Sequence, residues 1–149
     1  MSSYLTSDMD QPLARLLLDR FRWADRALRS RLAARGWPEM TPAQSLVFAS
    51  IDLDGTRPSE LARRIGVSRQ AVHQTIAELV EVDLLTLTAD PVDGRAKLVV
   101  VTDAGRRNIS AARESLTEIE SELRARIGDD SVAALRNALT ADWGSPEAD

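Results

Sequence analysis

A run of polar side chains between residues 68 and 75 is the part of this 149-residue sequence best suited to contacting another molecule. Its members are Ser68, Arg69, Gln70, His73, Gln74 and Thr75. Arginine suits the hydrogen-bonding edge of guanine and glutamine that of adenine, so the run predicts contacts with bases in the major groove of DNA. Arg63 and Arg64, which precede the run, suit contacts with the phosphate backbone, as does Ser68 itself.

The residue types argue against several other kinds of chemistry. The chain has no cysteine, which excludes thiolate catalysis, disulfides and thiol redox sensing. His73 is the only histidine, so histidine-based metal clusters are excluded, and no arrangement of Ser, Asp and His can be argued around it. None of the seven glycines forms a nucleotide-binding loop. We therefore expect no metal, no cofactor and no enzymatic activity.

Two predicted helices and a tight turn position the polar run. Pro58 begins a helix that stops at Gly66, and Ser68 is a good N-cap for the next one. Ala62 lets the two helices cross closely, and Gly66 allows the turn. Apolar contacts that lock the crossing angle are expected from Leu61, Ile65, Val67, Val72 and Ile76, with Leu79, Val80 and Val82 continuing the inner side of the second helix. The pattern is that of a helix-turn-helix, although an ordinary helix pair with a polar outer face shares it.

A strand pair is predicted directly after these helices. Residues 84–88 favour a strand, and residues 98–101 favour one more strongly because they are mostly β-branched. The turn-rich loop between them, residues 89–96, contains the hairpin-type pair Asp93-Gly94. Arg95 and Lys97 near the tip of this hairpin make a wing suited to the minor groove of DNA, whose negative potential favours arginine where the groove is narrow.

At these residues the sequence resembles the MarR family of bacterial winged helix-turn-helix transcription regulators. The resemblance is carried by Ser59-Glu60-Leu61-Ala62, by Val67-Ser68-Arg69-Gln70-Ala71-Val72, and by the wing Asp90-Pro91-Val92-Asp93-Gly94-Arg95-Ala96-Lys97 with the residues 98–105 that follow. It is closest over residues 57–107. For the wing it implies that Arg95 reaches the minor groove while Asp93 holds the wing in shape.

Amphipathic helices are predicted on both sides of this segment. The first runs from about residue 9 to residue 35, with Pro12 in its first turn. A second begins with Thr41 and Gln44 as a capping box and closes at Asp54-Gly55. After Thr102, apolar residues recur at steps of three and four at Ile109, Ala112, Leu116, Ile119, Leu123 and Ile127. Gly128 ends that helix, and Asp129 or Asp130 caps a last one whose apolar face holds Val132, Leu135, Leu139 and Trp143.

The predicted fold is therefore mainly α with a small β-hairpin wing, arranged as one domain over residues 1–149. Residues 57–102 form the winged helix-turn-helix lobe. The resemblance implies that residues 4–52 and 103–143 form a helical dimerisation region, although the seam from Ile109 to Ile127 could also pack within one subunit. In a homodimer, two recognition helices about one helical turn apart would read a two-fold symmetric site.

The charge distribution permits DNA binding without arguing for it. The net charge of −4 arises in residues 103–149, which carry six basic and ten acidic side chains, whereas residues 57–102 carry six of each. Salt screens such distant acids. No apolar stretch approaches the ~18 residues that a membrane span needs, so we expect a cytoplasmic protein without membrane contact.

These observations predict a sequence-specific, homodimeric regulator of double-stranded DNA that usually represses nearby genes. The alternative is a winged-helix protein-interaction module without DNA binding, which the balanced charge of residues 57–102 leaves open. By resemblance, a small aromatic or anionic effector could bind between the dimer helices and the lobe. The residues on segments that could line such a pocket are Arg15, Arg22, Trp23, Trp37 and Phe48, although the aromatic ones would equally serve as core.

Overall fold

The computed structural model describes residues 11–146 and has the predicted architecture, mainly helical with one antiparallel hairpin. Within those residues the helices are α1 (Leu13–Ala34), α2 (Pro42–Ala49), α3 (Pro58–Ile65), α4 (Arg69–Glu81), α5 (Asp103–Ile127) and α6 (Asp129–Thr140), and the strands are β1 (Leu85–Ala89) and β2 (Lys97–Val101). The hairpin register pairs Leu85 with Val101 and Ala89 with Lys97. No helix of the described part is long and apolar enough to cross a membrane.

One hydrophobic core joins the helix-turn-helix to the hairpin. Its buried residues come from α3, α4, the turn after α4 and both strands, and also from α2 and the segment before it: Met40, Val47, Phe48, Leu61, Ala62, Val72, Ile76, Leu79, Leu84, Leu85, Val99 and Val101. Since α2 supplies Val47 and Phe48, the winged lobe shares its core with residues N-terminal to the predicted boundary at residue 57.

The turn between α3 and α4 follows the predicted capping signals. Gly66 adopts the left-handed conformation (φ 75°), and the carbonyl of Ala62 accepts hydrogen bonds from the N–H groups of Gly66 and Val67. The hydroxyl of Ser68 accepts the N–H of Ala71 and caps α4. The expectation that Val67 locks the crossing angle was wrong: its side chain lies in the turn and is 44% exposed, while Ile65 packs against the core.

The start of α5 lies directly against the turn that links α4 to β1. Asp83 takes a left-handed φ of 59° there, so that the N–H of Leu84 can bond back to the carbonyl of Leu79. The N–H of Thr102 donates to the carbonyl of Leu84. A Cβ on Gly105 would come within 2.3 Å of that same carbonyl oxygen, so the helix approaches this closely only because residue 105 is glycine.

Three element ends differ from the predictions. α1 begins at Leu13 because Pro12, with ψ 138°, is its non-helical N-cap; the predicted start near residue 9 lies outside the described residues. α2 ends at Ala49 rather than at Asp54-Gly55, which forms a separate turn. α6 is preceded by Gly128 as its N-cap, and the two aspartates expected to cap it lie in its first turn, where the helix dipole favours acids.

The inner side of α4 is shorter than predicted. Val72, Ile76 and Leu79 are buried, as expected. Val80 and Val82 were expected to continue this side, but both are exposed. The helix ends at Glu81, and Val80 points away from the stripe that its three buried residues define at steps of four and three.

Arginines of α1 and glutamates of α5 form a ladder of ion pairs between the two long helices. Arg31 binds Glu118 (3.0 Å) and Glu122 (2.7 Å), and Arg35 binds Glu114 (3.2 Å) and Glu118 (2.7 Å). Beyond α5, Arg136 of α6 contacts Glu120 at 2.6 Å. We call the four pairs between α1 and α5 the arginine ladder.

Candidate nucleic-acid interface

The polar run identified in the sequence lies on the outer face of α4. Arg69, Gln70, His73 and Gln74 are exposed, since the opposite side of the helix is turned into the core. Thr75 is half-buried, and its hydroxyl donates to the carbonyl of Ala71 (3.0 Å), so that hydroxyl already has a partner on its own helix. These four side chains of α4, together with the exposed Ser68 that caps the helix, are therefore the members of the polar run available to another molecule.

Three cations of the recognition helix and the wing keep their charges uncompensated. Among residues 11–146, no carboxylate forms an ion pair with Arg69, with Arg95 or with Lys97. All three side chains are exposed. We call Arg69, Arg95 and Lys97 the free cations. Solvated cations of this kind can bind phosphate without first giving up a protein partner.

Gln74 is the base-reading candidate with a neighbour of its own. Its amide Nε2 lies 3.4 Å from Oε1 of Glu78, and Oε2 of Glu78 accepts Nε2 of Gln44 at 2.7 Å. Gln44 also completes the capping box of α2 with Thr41, as predicted. The recognition helix is thereby tied through Glu78 to the N-terminus of α2.

Arg63 and Arg64, predicted as phosphate contacts, both form ion pairs within the protein. Arg63 binds Glu60 through Nε (2.9 Å) and Nη2 (2.6 Å). Arg64 binds Glu60 through Nε (2.9 Å) and Asp52 through Nη2 (2.8 Å). Hydrogen bonds from Arg63 and then Arg64 lower the pKa of Glu60 to about 2. The bond between Arg64 and Asp52 likewise lowers the pKa of that aspartate.

Asp90 holds the wing at its base, a role that the sequence did not predict for it. Oδ2 of Asp90 lies 2.6 Å from both Nε and Nη2 of Arg57, the residue just before α3. Oδ1 of the same carboxylate accepts the N–H of Val92 (2.8 Å). That backbone bond, followed by the one from Arg57, lowers the pKa of Asp90. The two partners are 33 residues apart, so no local pattern could have signalled the pair.

The tip of the wing is a seven-residue loop rather than a two-residue hairpin turn. The N–H of Asp90 donates to the carbonyl of Ala96 (3.0 Å) and closes it. Inside the loop, Oδ1 of Asp93 accepts the N–H of Arg95 (3.2 Å), and the carbonyl of Asp93 accepts the N–H of Ala96 (2.9 Å). Gly94 does not take a positive φ, so Asp93-Gly94 is not the hairpin turn that the sequence suggested.

The segment before α3 also extends the small sheet. Thr56 is buried, and its N–H and carbonyl both pair with Val99 at 2.9 Å. Residues 56 and 57 therefore contact both the second strand and the loop of the wing.

This geometry agrees with the comparisons with known proteins. The sequence model of the MarR family matches residues 39–96. In its reduced form, MarR from Escherichia coli superimposes with a TM-score of 0.73 at 27% identity, covering 87% of this chain and 94% of that one. Over residues 39–96 the chain is thus similar to the MarR family in sequence, and over most of its length it is similar to a solved MarR structure.

Two further similarities extend over most of the chain. The transcriptional repressor CouR, which is from Rhodococcus jostii, was solved bound to a 23-mer DNA duplex; it is 25% identical with a TM-score of 0.69 and covers 93% of this chain and 96% of its own. An uncharacterised protein of Mycobacterium tuberculosis is 28% identical over 131 residues, which are 88% of this chain and 92% of the relative. The fold is thus that of DNA-binding transcription regulators.

The residues considered for an effector pocket have separate surroundings in the structure. Arg15 and Arg22 both pair with Asp19 on α1, at 2.9 and 4.0 Å. Phe48 is part of the core, and Trp37 packs against it. Trp23 is half-buried on α1. A shared pocket for these five residues stays a prediction.

The residues of the seam predicted on α5 differ in how far they are buried within the chain. Ile119 is buried within the chain, and Ile109 packs against the core of the winged lobe. Ala112 and Leu123 are half-buried, whereas Leu116 and Ile127 are exposed. A groove of about 260 Å³ runs between α5 and α6, with Leu123, Val132, Leu135 and Leu139 among its lining residues. No group of three or more possible metal ligands occurs in the described part of the chain.

Proposed function

We propose that this chain is a homodimeric transcription repressor of the MarR family that recognises a two-fold symmetric sequence in double-stranded DNA. Arg69, Gln70, His73 and Gln74 read base edges in the major groove, and Arg95 enters the minor groove. The observation that carries the proposal is the set of free cations beside exposed amide side chains. Side chains that are exposed and held by few internal bonds are ready to exchange water for DNA.

Other residues near the interface have supporting roles in this proposal. Ser68 and Lys97 contact phosphates, and Asp93 shapes the loop that carries Arg95. Arg63 and Arg64 are secondary phosphate contacts, because each must loosen its bonds to Glu60 before it can bind the backbone. Thr75 offers only its methyl group while its hydroxyl stays bonded to α4.

Exposed apolar side chains on the outer helices support dimerisation. They lie on α1, α5, α6 and the residues after α6: Leu13, Leu18, Phe21, Leu116, Ile127, Leu135, Leu139 and Trp143. Such a set on a single chain favours burial against a second copy. Residues 4–52 and 103–143 would supply this dimerisation region, although α2 within them also packs on the lobe. Residues 1–10 and 147–149 lie outside the described part of the chain.

The proposal is tested by fluorescence anisotropy with duplex DNA from upstream of the protein's own gene. A scrambled duplex of equal length is the control, and both are titrated at two salt concentrations. We expect binding at least ~10³-fold tighter to the native fragment, with a steep loss of affinity at the higher salt. Arg95→Ala should weaken specific binding while leaving the melting temperature unchanged.

A matched variant separates the wing contact from a general effect of charge. Arg20→Ala removes an arginine that is exposed on α1, outside residues 57–102. It should bind like the wild type. If Arg95→Ala also bound like the wild type, the wing assignment would be wrong. No binding to any duplex at low salt would favour the protein-interaction module instead, because a DNA-binding protein retains non-specific binding to phosphates under those conditions.

A further inference from the structure

We propose that Arg57 and Asp90 are positioning residues, which hold the loop of the wing in the orientation from which Arg95 contacts DNA. The inference rests on the proposed function, since it assigns a role to two residues that need not touch DNA themselves. Neither residue belongs to the polar run or to the free cations.

The pair connects the wing loop to a rigid part of the molecule. Arg57 immediately precedes α3, whose Leu61 and Ala62 are buried in the core. Its neighbour Thr56 is bonded to Val99 through both backbone groups. The guanidinium therefore projects from a fixed base, and two of its nitrogens converge on one oxygen of Asp90 at 2.6 Å.

Asp90 passes this restraint on to Arg95 through the loop. Its side chain accepts the N–H groups of Val92 (2.8 Å) and Asp93 (3.4 Å), and Asp93 in turn accepts the N–H of Arg95. Within residues 11–146, every other side-chain hydrogen bond of the loop at residues 90–96 stays inside that loop. The pair is thus the side-chain link between the loop and the helices.

Because Asp90 is buried, its position depends on the ion pair with Arg57. The residue is only 6% exposed, while the side chain of Arg57 is 45% exposed. A buried carboxylate without its counter-charge is unfavourable, so loss of Arg57 should drive Asp90 towards water and move the loop with it. The β1–β2 rungs and the pairing of Thr56 with Val99 would remain. The fold should therefore survive while the loop loses its orientation.

The rival explanation is that Arg57 simply contacts a phosphate, and the sign of one substitution separates the two. Asp90→Asn removes a negative charge beside the DNA. If only electrostatics acted, this variant would bind DNA more tightly. If the pair positions the wing, it should bind more weakly, because the asparagine no longer holds the guanidinium.

The experiment measures operator affinity by anisotropy for Arg57→Gln, Asp90→Asn, Arg95→Ala and the two double variants that contain Arg95→Ala. We expect each of the first two to weaken binding by about tenfold, the size of one lost arginine contact. In either background, Arg95→Ala should cost clearly less than it costs in the wild type, because the loop no longer presents Arg95. Thermal melting checks that each variant is folded.

Glu81→Gln is the matched control for Asp90→Asn. Glu81 is an exposed acid at the end of α4, so its replacement changes the net charge by the same amount and should not weaken binding. The inference is overturned if Asp90→Asn binds as tightly as the wild type or more tightly, or if the effects of Arg57→Gln and Arg95→Ala multiply independently. If Arg95→Ala alone has no effect, the wing assignment in the proposed function fails together with this inference. If this inference alone fails, Arg95→Ala still weakens DNA binding, whereas Asp90→Asn leaves the affinity for DNA unchanged.

Discussion

Arginines have different surroundings in two regions of this molecule. In the arginine ladder, Arg31 of α1 and Arg35, the residue that caps its C-terminus, each bind two glutamates of α5. On the recognition helix and the wing, no ion pair within residues 11–146 involves Arg69 or Arg95. Residue type alone therefore does not identify an arginine that binds another molecule. An arginine with an acidic partner within the chain has a structural role instead.

Arg63 and Arg64 lie between these two classes. They belong to the helix-turn-helix, yet Glu60 and Asp52 neutralise them as the glutamates of α5 neutralise the ladder. The cations of the lobe are therefore distinguished by their partners rather than by their distance from the polar run. Substitutions of charged residues test that distinction, and a substitution on the apolar surface of α5 tests the role of the helical region.

The largest effect is expected in the helical region, through dimerisation rather than charge. Leu116→Asp places a carboxylate on an exposed apolar position of α5 and should leave the protein monomeric. A monomer presents one recognition helix, so operator affinity should fall by about 10³-fold towards non-specific binding. Sedimentation velocity and anisotropy measure the two consequences.

Two further variants make that result interpretable. Leu123→Asp should have the same effect on the dimer, although Leu123 is half-buried and its loss will also lower the melting temperature. Ser121→Asp adds the same charge at another exposed position of α5 and should stay dimeric. A Leu116→Asp protein that remained a dimer would refute the assignment of α5 to the interface.

A medium effect is expected from exchanging arginine for glutamine in each region. Arg69→Gln should reduce operator affinity by about 10- to 100-fold and leave the melting temperature unchanged, because it removes a base contact but no internal bond. Arg35→Gln should do the reverse and lower the melting temperature by a few degrees, since two ion pairs between α1 and α5 are lost. Differential scanning calorimetry and anisotropy on both variants test this. Equal effects of the two variants on DNA binding would show that arginines with and without ion-pair partners do not differ in their role.

The smallest effect concerns the intermediate pair of arginines. Glu60→Gln removes the carboxylate that both Arg63 and Arg64 bind. We expect a few-fold gain in DNA affinity and a steeper dependence on salt, because Arg63 becomes available to phosphate. Glu114→Gln in the arginine ladder changes the net charge equally and should leave DNA binding as it is. An unchanged salt dependence in Glu60→Gln would show that Arg63 does not reach the backbone.

The same variant predicts a change in acid stability. The pKa of Glu60 in the folded protein is lowered to about 2, below its ordinary value of 4.5. The charged form is therefore favoured by folding, and its contribution is present above about pH 4.5 and lost as the pH falls towards about 2. The melting temperature of the wild type should drop more than that of Glu60→Gln between about pH 5 and about pH 3.

Signals confined to a few neighbouring residues predicted much of the lobe. Thr41 with Gln44, Ser68 and Thr102 all cap the helices they were expected to cap, and Gly66 ends α3 in the left-handed conformation. These succeed because a capping bond joins residues three apart, and a glycine's conformational freedom is a property of that residue alone. The wrong predictions of burial also came from single residues. Val67, Val80 and Val82 were expected to be buried because they are apolar, but all three are exposed and lie in the turn before α4 or at its C-terminal end.

Residue types and their short spacing were sufficient to predict the order of the elements, the polar run on α4, the resemblance of residues 57–107 and the absence of cysteine chemistry. Which arginines are neutralised depends instead on how the chain folds. Arg31 meets glutamates 87 and 91 residues away, and Arg57 meets Asp90 across 33 residues. Such pairs follow from how helices and hairpin pack around the core, and packing is not encoded in any short stretch of chain.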